Sequence, residues 1–292
     1  MTSAAEAIDQ GAASPLLSPV LAPWPDRPSS LRAQLNLVLE LAITSFKLKY
    51  AASVLGYIWS LARPLMLFGL MYIVFAFFLL RHRITPQENF AAQLLVGIVC
   101  WYFFNEATHS ALTAVVSNGD MLRKAYLPRW ILVVAALMTS TMTLAVNMTL
   151  LLILGVIFHW YHVGWQTLLV IPLLLELFLF ALGVGLILAA IFVYFRDFGH
   201  IWDVLLLFFF YASGIVFPIF TLVPRQYLKF MALNPIAQTV EDVRRALVTA
   251  AIPWSTSVLG PRVLLPIGFV VLLLPFGAWI FRRLGPRFAE RL

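Results

Sequence analysis

The stretch WQTLLVIPLLLELFLFALGVGLILAAIFVY, residues 165–194, decides the fold class of this chain. It contains a single charged residue, Glu176. A helix that crosses a bilayer needs about 20 mostly apolar residues, because the hydrocarbon core is about 30 Å thick. We therefore predict that this stretch crosses a membrane as a helix.

Further apolar runs lie on both sides of this stretch, and the composition agrees with them. Of the 292 residues, 62% are hydrophobic and 11% are charged, and the mean hydropathy is +0.92. A soluble domain carries about 25% charged residues. The first run is short, and residues 56–62 extend it. The pattern predicts an all-α integral membrane protein with six transmembrane helices, at residues 65–80, 90–116, 130–160, 165–194, 204–223 and 263–281.

Lysine and arginine residues predict the orientation in the membrane. With six spans, both ends lie on one side, and most of the 20 Lys and Arg residues lie on that side too. The positive-inside rule then predicts cytoplasmic N- and C-termini. The opposing residues are Arg81 and Arg83 and a cluster after the fifth run that needs a separate explanation: Arg225, Lys229, Arg244, Arg245 and Arg262.

The N-terminal region divides into a tail and a helix. Residues 1–29 are rich in proline and lack an apolar core, which predicts a disordered cytoplasmic tail and no signal peptide. Residues 30–50 alternate apolar and charged positions at helical spacing. This predicts an amphipathic helix along the cytoplasmic membrane surface. Packing of the helix against a partner protein is the alternative.

Two charged segments interrupt the apolar runs. Residues 118–129 form a short basic element that ends at Pro128, and this element is either a solvated loop or a docking helix. After the fifth run, residues 226–233 and 236–249 form two short amphipathic stretches separated by Asn234-Pro235. Neither stretch is long enough to span, so both are predicted to lie on the outer leaflet or to dip into it.

The sequence holds no motif that binds ATP or performs hydrolysis. A phosphate loop ending in Gly-Lys-Ser or Gly-Lys-Thr is absent, as are Gly-x-Ser-x-Gly and His-Glu-x-x-His. We therefore expect no cofactor and no metal on this chain, and no enzymatic activity of its own. Charges inside the apolar runs are sparse, and each is a functional candidate because charge in lipid is costly: Glu106, His109 and Glu176.

Five short motifs in order resemble one family. The first is Lys49-Tyr50 followed by SVLGYIWS at residues 53–60 and by Pro64. The next are Gly97 with WYFF at residues 101–104, and Ser117-Asn118 with LRKAYLPR at residues 122–129. The last two are FRD at residues 195–197, and Asn234-Pro235 followed by Glu241 and Arg244. The chain resembles the permeases of polysaccharide-type ABC exporters, which export O-antigen, capsule or teichoic acid chains.

The resemblance implies an assembly and an activity. Residues 30–292 would form a type 2 ABC transmembrane domain in the cytoplasmic membrane. Two copies of the chain would pair above two separate ATPase subunits, which bind ATP and Mg²⁺. The complex would export a lipid-linked polysaccharide, with membrane lipid and no nucleic acid as further partners.

The resemblance also implies roles for particular residues. The ATPase-coupling element would be formed by Leu122, Arg123, Lys124, Tyr126, Pro128 and Arg129. Channel and substrate contacts would be made by Tyr57, Trp59, Trp101, Tyr102, Phe104, Glu106, Phe208 and Tyr211. The two stretches after the fifth run would be outer-leaflet gate helices, marked by Asn234, Pro235, Glu241 and Arg244.

Other functions stay open at the level of sequence. An ion-coupled secondary transporter would use Glu106, His109 and Glu176 as a proton relay, although no inverted repeat is evident. A membrane-embedded glycan-processing enzyme would need a convergent acid–base set, which the sequence does not supply. An ABC exporter of a lipid or a drug would share the fold and differ only in its cargo.

Overall fold

The computed structural model describes residues 30–51, 56, 58–75, 89–124, 127–160, 164–224, 227–228, 231, 233–285 and 288. The predicted tail at 1–29, half of the stretch 226–233, Tyr57 and Tyr126 lie outside the described residues. Within the described part the secondary structure is helical, without strands.

The chain order of the helices is as follows. The N-terminal half contains α1 (Leu31–Ala51), α2 (Ile58–Tyr72), α3 (Phe90–Ser117), α4 (Gly119–Lys124) and α5 (Trp130–Ile157). A 3₁₀ turn at Trp165–Leu169 leads into α6 (Val170–Tyr194). The remaining helices are α7 (Phe198–Ala212), α8 (Ile219–Leu222), α9 (Pro235–Leu247), α10 (Ser255–Leu259) and α11 (Leu264–Leu284).

Five helical stretches in the described residues are long and apolar enough to cross a membrane: Ile58–Phe75, Phe90–Ser117, Trp130–Ile157, Trp165–Tyr194 and Ser255–Leu284. The chain is therefore a multi-pass membrane protein, as its composition predicts. The most buried of these stretches contains α3, which packs against α5 and α6, while α6 also packs along α11.

The fifth predicted span differs from the structure. We predicted one helix over residues 204–223, but α7 starts at Phe198 and ends at Ala212. Its 15 residues extend about 22 Å, which is less than the hydrocarbon thickness. The chain then turns at Gly214, whose φ of +62° favours glycine, and α8 begins after Pro218.

The N-terminal helix forms as predicted, and its partner is the chain itself. Val38 of α1 packs against Ile131 and Ala135 of α5. Thr139 of α5 donates a hydrogen bond to the Ala42 carbonyl across 3.2 Å. A neighbouring face of α1 leaves large apolar side chains exposed, namely Leu35, Leu39 and Ile43.

The second stretch after the fifth run also forms a helix, α9. The Asn234 side chain caps it by accepting a hydrogen bond from the Ile236 amide at 3.0 Å. We predicted an amphipathic helix that lies on the outer leaflet or dips into it. In the structure α9 lies inside the bundle against α3, α6 and α11, and its side chains are buried almost throughout, including its charged ones.

Candidate functional site

The site centres on Arg244 of α9, whose side chain is fully buried. Its guanidinium forms an ion pair of 2.7 Å with Glu241, one turn earlier on the helix. The same guanidinium donates hydrogen bonds to four backbone carbonyls, those of Gln93, Gly214, Ile215 and Phe217. One side chain therefore joins α9, the start of α3 and the turn that ends α7.

Glu241 completes this arrangement on the other side of the turn. Its carboxylate accepts a hydrogen bond from the Ile219 amide at 3.0 Å, at the start of α8. Asn234 donates to the Ser213 hydroxyl at 2.8 Å. The turn between α7 and α8 is thus held by polar groups from α9, which explains why α9 can be charged and still buried.

Glycine at position 97 makes room for Arg244. A Cβ atom at this position would lie 2.5 Å from an Arg244 guanidinium nitrogen and would clash with the Ile215 carbonyl oxygen. The motif Gly97 therefore belongs to the same site as the motif Asn234-Pro235-x₅-Glu241-x₂-Arg244. The sequence placed these residues in separate motifs, and the structure brings them together.

A second carboxylate on α9 is used structurally. Asp242 accepts hydrogen bonds from both the backbone amide and the hydroxyl of Ser255, at 2.8 Å and 2.5 Å. These contacts fix the start of α10 on α9. The intramembrane Glu176 of α6 has a buried carboxylate oxygen without a hydrogen-bond partner among the described residues.

Glu106, the other intramembrane carboxylate, joins three helices. It accepts a hydrogen bond from Thr143 of α5 at 3.1 Å and forms an ion pair of 2.7 Å with Lys49 of α1. Burial disfavours the charged form of Lys49, but the Glu106 carboxylate outweighs this effect and raises the pKa of Lys49. Lys49 therefore remains an ammonium group at physiological pH.

His109 has a different partner. Its Nε2 lies 2.7 Å from the Asp203 carboxylate on α7. One residue away on each helix, the Trp202 indole donates a hydrogen bond to the Thr108 hydroxyl at 3.2 Å. The polar contacts of Glu106 and His109 thus lead to α1 and α7 respectively, and the described contacts do not link the two to Glu176 in a relay.

The aromatic residues predicted to line a substrate path lie in different environments. Phe104 and Phe208 line one cavity, which lies among α3, α6, α7, α9 and α11. Trp101 is buried beside it and packs edge-on against Phe210. Trp59 and Tyr211 are exposed, and Tyr102 is half-buried. Only part of the predicted set is therefore brought together.

The predicted coupling element has a helix, α4, followed by an anchored end. Leu122 is half-buried against the core, and Arg129 donates a hydrogen bond to the Gly285 carbonyl at the end of α11. The Arg129 guanidinium also lies 5.8 Å from the centre of the Phe288 ring. Next to it, the Tyr194 hydroxyl donates to the Leu284 carbonyl at 3.1 Å. Arg129 thus fixes the end of this element to α11.

Sequence reasoning missed several partners at these sites. Asp203, Thr143 and Ser255 lie in stretches without a motif, and each contacts a residue far away in the chain. Asp203 carried one usable signal, because it is a charge near the start of an apolar helix. A lone threonine or serine in an apolar helix offers no comparable signal.

Replacing Glu106 with glutamine tests the role of the α1–α3–α5 contact. We expect a loss of about 1 kcal/mol of stability, because the ion pair is partly exposed and Thr143 can still donate to an amide oxygen. A lowered thermal midpoint is the expected result. Loss of transport that depends on a proton gradient, rather than on ATP, would support the relay and contradict this assignment. Thr149→Val, which removes an exposed hydroxyl on α5, is the control.

The fold and these contacts define a multi-pass helical membrane protein whose polar side chains tie helices together and whose described residues include no cluster that could hold a metal ion. Residues 36–248 match the ABC-2 type transporter family, and the chain belongs to that family. The resemblance drawn from the five motifs is thereby confirmed.

Individual relatives within the family are similar to the chain over most of its length. The chain is similar to the O-antigen export system permease protein RfbA of Myxococcus xanthus, with 29% identity over 69% of this chain and 76% of the relative. It is 23% identical to a protein of the same name from Klebsiella pneumoniae, over 88% of this chain and 95% of the relative. It is 25% identical to the polysialic acid transport protein KpsM of Escherichia coli, over 75% and 84%. These relatives, aligned over most of the chain, are named as an export permease or as a transport protein.

Proposed function

We propose that this chain forms the channel of an ABC exporter that moves a lipid-linked polysaccharide of the O-antigen, capsule or teichoic acid type across the cytoplasmic membrane. One observation carries the proposal: relatives aligned over most of the chain are named for O-antigen and polysialic acid export. ATP and Mg²⁺ act on the partner ATPase, since this sequence holds no phosphate loop.

The proposed assembly contains two copies of this chain and two ATPase subunits. The channel forms between the two copies, and α2 and α7 contribute its walls. The exposed apolar faces of these helices support this arrangement, because they are covered by little else in one chain. In this assembly Trp59 and Tyr211 face the passage, and α7 with residues 213–222 makes the sixth crossing.

The proposed orientation places both termini in the cytoplasm. The contacts Arg129–Gly285 and Tyr194–Leu284 put the start of α5, the end of α6 and the end of α11 on one side of the bundle. Arg282 and Arg283 in the last turn of α11 lie on that side, in agreement with the positive-inside rule. The exposed row Leu35, Leu39 and Ile43 then rests α1 on the inner membrane surface.

Charge reversal in α4 tests the proposal. In the variant Arg123→Glu/Lys124→Glu we expect at least a tenfold loss of permease-stimulated ATP hydrolysis and loss of ATPase co-purification, because the docking surface changes sign. The measurement is pull-down and ATPase activity after coexpression with the partner ATPase. Thermal stability of the permease itself should not change.

The matched control is Arg32→Glu/Lys47→Glu, which makes the same charge change on exposed positions of α1. This control should keep ATPase binding and hydrolysis. Wild-type binding and export in the α4 variant would remove the docking role, and equal losses in both variants would show that overall charge, not α4, matters.

A further inference from the structure

The cavity behind α7 has a volume of about 570 Å³, within the range of small-molecule binding sites. It extends from Trp202 near the start of α7 to Asn234 and Pro235 at the start of α9. Its walls include Phe104, Val184, Phe208, Ala212, Phe269 and Leu273. Two of these side chains are more than half exposed, Phe208 on α7 (65%) and Phe269 on α11 (51%), so the cavity opens between these two helices.

The lining offers almost no hydrogen bond to an occupant. The amide of Asn234 donates to Ser213 and its oxygen accepts from the Ile236 amide. The indole of Trp202 already donates to Thr108. A sugar brings a hydroxyl on nearly every carbon, and each would lose its hydrogen bonds with water here. The cavity therefore fits a hydrocarbon chain and excludes the glycan expected along this aromatic path.

The surface of α7 that faces the cavity is not packed against protein. Polar contacts hold its two ends: Asp203 pairs with His109 near the start, and Arg244 binds the carbonyls that follow its last turn. Between these ends, α7 packs sparsely against α3 and α6. An empty space along a helix leaves its side chains without van der Waals partners. A hydrocarbon chain in the cavity would fill this space and contact α7, α6 and α11 at once.

We propose that the cavity binds an acyl chain of one phospholipid from the surrounding bilayer. The cavity opens between α7 and α11, and the exposed apolar surface of α11, which forms no wall of the proposed channel, faces lipid hydrocarbon. Acyl chains are therefore present at the opening at high concentration, and their chemistry matches the lining. The bound phospholipid is a structural ligand of α7, and its binding does not depend on which cargo the exporter carries.

The test uses variants in which a larger side chain fills the cavity. Each variant is purified in complex with its ATPase. Val184→Phe and Ala212→Phe each add a ring to the lining, whereas Leu207→Phe adds one to a position of α7 that is 61% exposed and does not line the cavity. After delipidation, phosphatidylglycerol is added back and retained lipid is counted by native mass spectrometry. We expect wild type and Leu207→Phe to retain one phospholipid per chain, and the filling variants to retain at least tenfold less.

The thermal midpoint gives an independent readout. It should rise on addition of phosphatidylglycerol in wild type and in Leu207→Phe, and change much less in a filled variant. Equal retention in all variants overturns the proposal. Recovery of a glycan-bearing lipid in place of phospholipid also overturns it, as does dissociation of the two permease copies in the filled variants. Should neither filled variant fold, a diazirine-bearing phosphatidylglycerol is used with wild type, and it must cross-link at α7 or at 269–273. Cross-links found exclusively at other positions overturn the proposal.

Discussion

Replacing Arg244 with methionine is expected to destabilise the protein by about 3–5 kcal/mol, the range for removal of one partner from a buried ion pair. The side chain is fully buried, and its loss leaves the Glu241 carboxylate without its counter-charge. The carbonyls of Gly214, Ile215 and Phe217 also lose their donor in a part of the protein that water does not reach. Folded proteins are stable by only about 5–15 kcal/mol, so we expect a sharp drop in monodisperse yield and thermal midpoint.

The neighbouring Arg245 provides the control. Its guanidinium lies 5.8 Å from the centre of the Trp254 ring, and its Nε and Nη1 atoms have no hydrogen-bond partner in the described structure. Arg245→Met removes the same charge from the same helix and should cost about 1 kcal/mol or less. Equal midpoints for the two methionine variants would contradict the role of Arg244.

A double variant separates the two causes. Glu241→Met combined with Arg244→Met removes the uncompensated carboxylate but leaves the carbonyls of the turn without their donor. We expect the double variant to recover part of the stability lost in Arg244→Met and to remain below wild type. Full recovery would show that the turn does not need the guanidinium.

The same turn shows why the sequence predicted a continuous fifth span. Residues 204–223 are apolar almost throughout, and hydropathy responds to side chains, not to backbone carbonyls. A helix can end inside a membrane protein only where other groups satisfy the backbone carbonyls of the turn that follows. Arg244 supplies the donor for the carbonyls after α7, and it lies about thirty residues further along the chain. Ser213-Gly214 and Pro218 were the local signals, and each is weak by itself.

The burial of α9 was not predictable from the sequence, for a related reason. Its charged residues alternate with apolar ones at helical spacing, which predicts an amphipathic helix. Periodicity shows that one face is polar, but it does not tell whether water or protein satisfies that face. Here Glu241 and Arg244 meet backbone groups, and Asp242 meets Ser255. The helix and its Asn234 cap were predictable, whereas its burial depended on contacts distant in sequence.

The long spans were predictable because length and hydropathy are local properties. The stretch Phe90–Ser117 and the stretch Trp165–Tyr194 differ little from the predicted runs. The short motifs also indicated most of the gate residues, since Asn234, Pro235, Glu241 and Arg244 share one helix and its cap. The atoms that accept hydrogen bonds from Arg244 are backbone carbonyl oxygens, which carry no sequence signal at all.

Replacing Gly277 with leucine is the second change with a large expected effect. Gly277 of α11 faces Gly183 of α6, and a Cβ atom at 277 would lie 2.6 Å from the Gly183 carbonyl oxygen. Helices in membranes rely on such small residues for close approach, because hydrocarbon solvent does not drive them together. We expect a loss of about 3 kcal/mol, since a backbone oxygen cannot move aside as a side chain can.

Gly268→Leu is the matched control, because a Cβ atom at Gly268 on the same helix meets nothing within 4 Å. Its thermal midpoint should stay near that of wild type.

Gly277→Leu should also change the contacts at the cytoplasmic end of α11, near the proposed ATPase-docking element. The end of α11 accepts hydrogen bonds from Arg129 and Tyr194, so a displaced α11 withdraws the anchor of the segment that follows α4. Stimulation of ATP hydrolysis should therefore fall together with the midpoint in Gly277→Leu, and the α6–α11 contact would lose its proposed importance if both glycine variants behaved alike.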